Sequence, residues 1–252
     1  MGRAAVRRRL TWLEAEAVGL VEEAPGVRSI ELEVPGWSGH LPGQHVDVRL
    51  TAEDGYQAQR SYSIATPADG ERLTLTVERI ADGEVSTYLV DELRIGDAFE
   101  LRGPIGGYFV WRPGPGGPLL LLGAGSGIVP LMAMLRDRVR AGDATPVRLL
   151  LSSRSWEQVI YREELEGLRC SAEGVEIVHT LTRAQPPGWT GYGRRVDSAM
   201  VAEVAPPPAD QPLCFACGPT GFVESVASAL VELGHDPARV KTERFGPTGG
   251  SP

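Results

Sequence analysis

The stretch Arg112-Pro-Gly-Pro-Gly-Gly-Pro118 constrains this chain more than any other feature. Proline lacks an amide donor, and glycine loses the most backbone entropy on ordering, so such a run sustains neither helix nor strand. The hydropathy pattern changes across it. Before it, Ile30, Leu32 and Val34, then Val46, Val48 and Leu50, then Leu73, Leu75 and Val77 alternate with polar residues, as strands with one buried face do. Pro35-Gly36, Pro42-Gly43, Asp54-Gly55, Asp69-Gly70 and Asp82-Gly83 supply turns between them. After it, Leu119–Leu122 is wholly apolar and of strand length, and a glycine turn follows. Val129–Val139 has helical spacing with Leu131, Met134, Leu135 and Val139 inward; Val147–Leu151 and Val175–Leu181 read as strands, and Glu163–Leu168 and Phe222–Leu233 as helices.

These patterns predict two domains. An antiparallel Greek-key β-barrel, closed or nearly so, is expected over residues 13–113, and an α/β doubly wound parallel sheet over 114–252, with residues 1–12 a basic tail. One short helix is expected from Ser86 to Leu93, with Ser86 as its N-cap.

Composition narrows the function. A net charge of −8, with the acidic surplus mainly before Pro113, argues against nucleic acid as a partner. No apolar run approaches a membrane span, and Met1–Leu13 lacks the apolar core and cleavage site of a secretory signal, so a cytoplasmic protein is expected. Cys170, Cys214 and Cys217 give no disulfide framework, and the Cys-x-x-Cys pair at 214–217 lacks the further thiolates an iron–sulfur cluster takes. His40, His45, His179 and His235 show no metal-ligand spacing. No metal and a monomer are expected.

Arg60-Ser61-Tyr62-Ser63 lies between alternating strands. On a strand Arg60 and Tyr62 share one face, with Ser61 and Ser63 on the other unless a bend re-aims them. A fixed cation beside a flat ring suits a ligand carrying both phosphate and an aromatic system. Alone, the tetrapeptide is ordinary for an exposed strand. Three later signals give it weight: Gly103-Pro104-Ile105-Gly106, Gly123-Ala124-Gly125-Ser126-Gly127 and Cys217-Gly218-Pro219. An apolar strand, Gly-x-Gly-x-Gly and a helix form a phosphate cradle, because glycines admit the anion and the helix start offers free amides. The spacing differs from the dinucleotide fingerprint G-x-G-x-x-G, and a ligand-free tight turn is the alternative. Gly83–Ser86 is either a second phosphate turn or an ordinary N-cap.

The ordered set resembles the ferredoxin–NADP(+) reductase superfamily, and within it the stand-alone reductase components of bacterial oxygenase or cytochrome P450 systems, from about Leu13 to Phe245. That resemblance implies a flavin/NAD(P)-binding oxidoreductase of the ferredoxin–NAD(P)+ reductase type, with FAD as flavin (FMN being possible) and no iron–sulfur cluster. It implies that Arg60 binds flavin pyrophosphate, Tyr62 packs on the isoalloxazine and Ser63 reaches flavin N5, with Ser61 grouped beside them. Gly83, Val85 and Ser86 match the segment capping the flavin phosphate. Gly123, Gly125, Ser126 and Gly127 match the nicotinamide-dinucleotide loop, and Cys217, Gly218 and Pro219 the turn beside the nicotinamide. Phe245 takes the place of an aromatic covering the flavin's other face, or is a core residue of the last strand. Ser63, Cys217 and Phe245 are thus the implied catalytic residues. Ser153, Arg154, Arg162 and Arg183 suit the 2′-phosphate of NADPH over NADH; alternatively Arg154 and Arg162 are solvated or pair with Glu163 and Glu166.

The implied reaction is hydride transfer from nicotinamide to flavin N5, then electron delivery to a separate ferredoxin, oxygenase or P450 component. Arg7-Arg8-Arg9 either docks an acidic ferredoxin or is a solvated tail. Two other readings stand beside it: a flavin reductase releasing reduced flavin, and a flavin-binding electron-transfer subunit that does not use nicotinamide.

Overall fold

A computed structural model of the chain describes residues 10–114 and 116–245; Arg7-Arg8-Arg9, Pro115 and residues 246–252 lie outside the described residues. The first six strands are β1 (Trp12–Ala24), β2 (Val27–Glu33), β3 (His45–Thr51), β4 (Gln57–Ser63), β5 (Arg72–Glu78) and β6 (Ala98–Ile105). They form one antiparallel sheet in the order β4-β3-β6-β1-β2-β5, which curls around Ile30, Leu32, Val46, Val48, Leu75 and Leu101. The alternating apolar positions supply this core, as their period of two requires.

The sheet is the expected barrel in its nearly closed form, with one seam left open. Among the described residues, the chain just after edge strand β4 bridges edge strand β5 at Ile64–Leu75, beside which the Ala65 N–H donates to the Thr74 carbonyl at 2.8 Å. The cause lies in β4. Its inward position opposite the buried Val48 is Arg60, and a guanidinium cannot be buried among apolar side chains without a partner. The seam beside β4 therefore stays open. Next to it α1 (Glu84–Thr87) is a single turn that runs into a π-turn over Tyr88–Glu92. Its N-cap is Gly83, not Ser86 as expected. Ser86 is buried inside the turn, where its hydroxyl donates to the Gly83 carbonyl (3.1 Å) and accepts from the Ile80 N–H (3.2 Å).

The second sheet contains β7 (Leu119–Ala124), β8 (Val147–Ser153), β9 (Val175–Leu181), β10 (Leu213–Pro219) and β11 (Val240–Phe245), all parallel, in the order β11-β10-β7-β8-β9. Both faces are covered. Helices α2 (Ile128–Arg140) and α3 (Arg162–Ser171) pack on one, and α4 (Ser198–Val204) and α5 (Thr220–Glu232) on the other. Burial on two faces is why Leu119–Leu122 of β7 and Leu149–Leu151 of β8 read as continuous apolar runs. Val139, expected inward, is 41% exposed; the buried Arg138 takes the inward place, donating to the Thr145 and Glu173 carbonyls at 3.1 and 2.6 Å. No helix among the described residues is long and apolar enough to cross a membrane.

Phe109 and Trp111 precede the Pro-Gly stretch, yet both are buried in the core beneath α2, and Phe109 meets Phe215 edge-on with ring centroids 5.2 Å apart. The two sheets are thus packed together through β10. Replacing Phe215 by alanine is expected to lower the unfolding free energy by about 3–5 kcal/mol, the usual cost of emptying an aromatic site. Urea denaturation measures this; a loss under about 1 kcal/mol would show that the pair does not hold the sheets together.

Candidate active site

In the parallel sheet the chain leaves the central strand β7 in both directions, so a crevice opens at the carboxyl ends of β7 and β10. The glycine turn and Cys217-Gly218-Pro219 meet there. A Cβ at Gly127 would collide with the Cys217 carbonyl, and one at Gly218 would lie 2.9 Å from Phe222 Cδ1 and 3.1 Å from Ala124 Cβ. Glycine is what lets these loops touch. Residues 125–127 form a 3₁₀ turn into α2, whose N-terminus has no side-chain cap. Its first amides and positive dipole end stay available to an anion.

Cys217 pairs in register with Gly123 on one side and Glu243 on the other. Its thiol is buried, and burial, then the Glu243 carboxylate, push its pKa well up, so it is present as thiol. Glu243 has its Oε2 buried without a hydrogen-bond partner, and burial pushes its carboxyl up to about 7. His45 Nδ1 lies 3.8 Å from Glu243 Oε1. Burial lowers the His45 pKa, against the pull of Asp47. Both shifts favour neutral forms, and the separation exceeds hydrogen-bond length. The two groups are in contact without a hydrogen bond, and burial weakens the charge on both. Ser63 stands opposite His45 in the β3–β4 ladder, so the two share a face. Phe245 ends β11 opposite Pro219, half-buried against the core beneath α2.

Along the seam, Tyr62 is half-buried and its hydroxyl is pushed up to about 12 by burial. Arg60 is exposed, with Nη1 donating to the Gln59 carbonyl at 2.7 Å. Ser61 faces away and donates to Asp47 Oδ1 at 2.7 Å, while Asp47 Oδ2 accepts from Arg102 at 2.7 Å. Ser61 is therefore tied into the barrel's outer face, apart from Arg60 and Tyr62. At α1, Val85 is buried and the Ser86 hydroxyl is committed locally; Glu84 occupies the first turn and accepts from the Tyr56 hydroxyl at 3.0 Å.

Ser153 is buried at the end of β8, and its carbonyl accepts from the Thr182 N–H at 2.9 Å. The Arg183 N–H donates to the Arg154 carbonyl at 2.9 Å, which sets these exposed arginines side by side. Arg162 reaches the same loop through the Trp156 carbonyl at 3.5 Å. Of the alternative reading, the pairing with Glu163 and Glu166 is absent among the described residues, since Glu166 binds Arg169 at 2.9 Å, whereas Arg154 is exposed to solvent.

Sequence reading missed His45, Glu243 and Lys241. Lys241 donates to the Val110 carbonyl at 3.3 Å and lies 5.4 Å over the Phe215 ring. The available signal was the period of two on the last strand, which puts Lys241, Glu243 and Phe245 on one face.

Residues 25–110 match the oxidoreductase FAD-binding domain family, and residues 121–228 the oxidoreductase NAD-binding domain family. The chain is 34% identical over 239 residues to ferredoxin–NADP reductase B of Sorangium cellulosum, covering 92% of this chain and 97% of the relative. This chain belongs to the ferredoxin–NADP(+) reductase superfamily. The reductase is also 32% identical to NADH-cytochrome b5 reductase 1 of Aspergillus terreus, over 78% of this chain and 68% of the relative. To the glycine betaine monooxygenase reductase subunit of Pseudomonas aeruginosa it is 31% identical over 82% of its length, but spans only 56% of that protein. Its fold matches a cytochrome P450 reductase from Amycolatopsis with a TM-score of 0.82, 26% identity and coverage of 97% and 73%. It is an oxidoreductase with an FAD-binding and an NAD-binding half.

Glu243 makes this reductase's stability pH-dependent. Its carboxyl rises from the ordinary 4.5 to about 7 on folding, so the folded chain holds the proton more tightly. That contribution is complete below 4.5 and is lost as pH rises towards 7. Glu243→Gln removes the titration, and urea unfolding across this range is expected to show a flatter profile than wild type. Parallel profiles would contradict a buried, proton-holding Glu243.

Proposed function

We propose that this chain is a flavoprotein reductase that takes a hydride from NADPH onto FAD and delivers electrons to a separate ferredoxin, oxygenase or P450 component. Residues 13–113 are its flavin unit and 114–252 its nucleotide unit. One observation carries the reading: the Ser63–His45 end of the antiparallel sheet and the Cys217 end of the parallel sheet converge through Glu243, with one Glu243 oxygen buried and unpaired. The open seam, the exposed Arg60 and the uncapped glycine turn fit a dinucleotide flavin and a nicotinamide dinucleotide. When bound, the flavin supplies the redox chemistry at N5.

The protein's own work is holding and aiming. Arg60 neutralises flavin phosphate, Tyr62 stacks on the ring and Ser63 donates a hydrogen bond at N5. Amides of the Gly125–Ile128 turn hold the nicotinamide pyrophosphate. Cys217 and Gly218 border the nicotinamide, Phe245 shields the flavin from water, and Glu243, its carboxyl pushed up to about 7 by burial, carries less negative charge at the crevice floor than an ordinary glutamate. Arg154, Arg183 and Arg162 receive the 2′-phosphate; the exposure of Arg154 and Arg183, set side by side, supports NADPH over NADH. The monooxygenase and demethylase reductase subunits among the relatives support an oxygenase acceptor, and the Sorangium enzyme a ferredoxin.

Anaerobic stopped-flow mixing of the FAD-loaded protein with each nucleotide tests this. NADPH is expected to reduce the flavin more efficiently than NADH. In Arg154→Ala/Arg183→Ala the NADPH efficiency falls about 10–100-fold, the worth of one or two charged hydrogen bonds, while NADH changes less than about twofold. Equal losses for both nucleotides would remove these arginines from the 2′-phosphate site. A Ser63→Ala protein that keeps flavin is expected to reduce it at least about tenfold more slowly; a native rate would remove Ser63 from the reaction.

A further inference from the structure

A buried polar clasp joins the two sheets on the side of α2, behind the glycine turn. Tyr161 lies just before α3 in the left-handed region (φ 59°, ψ 29°), which a residue with a Cβ occupies only when its surroundings hold it there. Its ring is 3% exposed, and its hydroxyl crosses the interface to donate to Thr76 Oγ1 on β5 at 2.5 Å. Thr76 and Ser29 hydroxyls lie 2.8 Å apart, and Ser29 donates to Glu23 Oε1 at 2.6 Å. Since Ser29 gives its proton to Glu23 and Tyr161 gives its own to Thr76, Thr76 must donate to Ser29. The chain is fully satisfied and runs in one direction, from Tyr161 to Glu23.

Arg136 of α2 completes the clasp. Its guanidinium lies 4.5 Å over the Tyr161 ring, grips Glu164 with two hydrogen bonds of 2.9 and 2.5 Å, and donates to the Ala65 carbonyl at 2.7 Å. One helical turn on, Arg140 donates to the Ala68 carbonyl at 2.6 Å. Ala65 lies two residues beyond Ser63, and α2 starts at the glycine turn. The clasp therefore ties the strand end that carries Ser63 to the helix that the glycine turn begins.

We propose that Tyr161 is a positioning residue for hydride transfer. Through Thr76 and Arg136 it fixes the separation between the Ser63 end of the seam and the glycine turn, without touching either coenzyme. This rests on the functional reading above. Hydride transfer is sensitive to displacements of under an ångström, whereas phosphate and ribose contacts sit within the parallel half and tolerate a small shift between halves. Loss of the Tyr161 hydroxyl should thus slow transfer and spare nucleotide affinity.

Tyr161→Phe tests this, because it removes one oxygen and leaves Thr76 its Ser29 partner. Flavin reduction is followed by anaerobic stopped flow over a range of NADPH concentrations. The expected result is a limiting rate constant lowered about tenfold, with the NADPH dissociation constant within about twofold of wild type and full flavin content. A purely structural role would move the urea midpoint and leave the limiting rate unchanged; that result, or a change confined to NADPH affinity, overturns the proposal. If Tyr161→Phe fails to fold, Thr76→Val breaks the same hydrogen bond from the barrel side and is held to the same expectation. Where both fold, the double variant is expected to be no slower than the slower single variant, and additive losses would overturn the coupling. Wild-type flavin left oxidised by both nucleotides would overturn the functional reading and this role together. Normal wild-type reduction matched by Tyr161→Phe overturns this role alone.

Discussion

The edge-on contact of Phe109 with Phe215 is the joint on which the rest of the molecule depends. One ring comes from the segment after the antiparallel sheet, the other from β10 of the parallel sheet, and both are buried in one core. Such a pair is worth about 0.5–1.5 kcal/mol beyond the area it buries, and it is directional. Two residues along β10 from Phe215 is Cys217, and the neighbouring strand carries Lys241, Glu243 and Phe245 on the same face. The joint therefore decides which strand end faces His45 and Ser63.

Around that joint the chain breaks local rules where the proposed chemistry sits. An arginine holds an inward position on β4 and keeps the sheet from closing, and a carboxyl is buried on β11 with one oxygen unpartnered. Two backbone loops approach so closely that only glycine serves at Gly127. Each choice costs stability that a closed apolar barrel or a salt-bridged glutamate would keep. Departures of this kind gather at functional sites. Here Glu243 and Gly127 lie at the crevice and Arg60 on the open seam.

Much of the fold was legible because burial on two faces leaves an unmistakable trace. Leu119–Leu122 and Val147–Leu151 could be read directly, and so could the glycine turn between a strand and a helix. β1 was not read: its inward residues Ala15 and Ala17 are small, and irregularities after Ala17 and Glu22 break its period of two. Ser86 looked like a cap because its residue type suits one, but tertiary burial put it inside the turn. Val139 matched the helical period and still faces water, since Arg138 found two carbonyls inside. Within the candidate site, Arg60, Tyr62 and the glycine loops carry local signatures. Glu243 shares only the period of two with Phe245 and His45 carries no signature, because their meeting depends on how two sheets dock, and no sequence window spans that contact. The same holds for Tyr161 and Thr76, far apart in the chain and joined only across the interface.

The central claim is that a flavin on the first sheet and a nicotinamide on the second lie against each other in this crevice. Anaerobic spectrophotometric titration of the FAD-loaded protein with NADPH tests it most directly. One equivalent of NADPH is expected to bleach one equivalent of bound flavin. A protein that stays colourless after incubation with FAD or FMN, or whose bound flavin remains oxidised with NADPH and NADH alike, would contradict it.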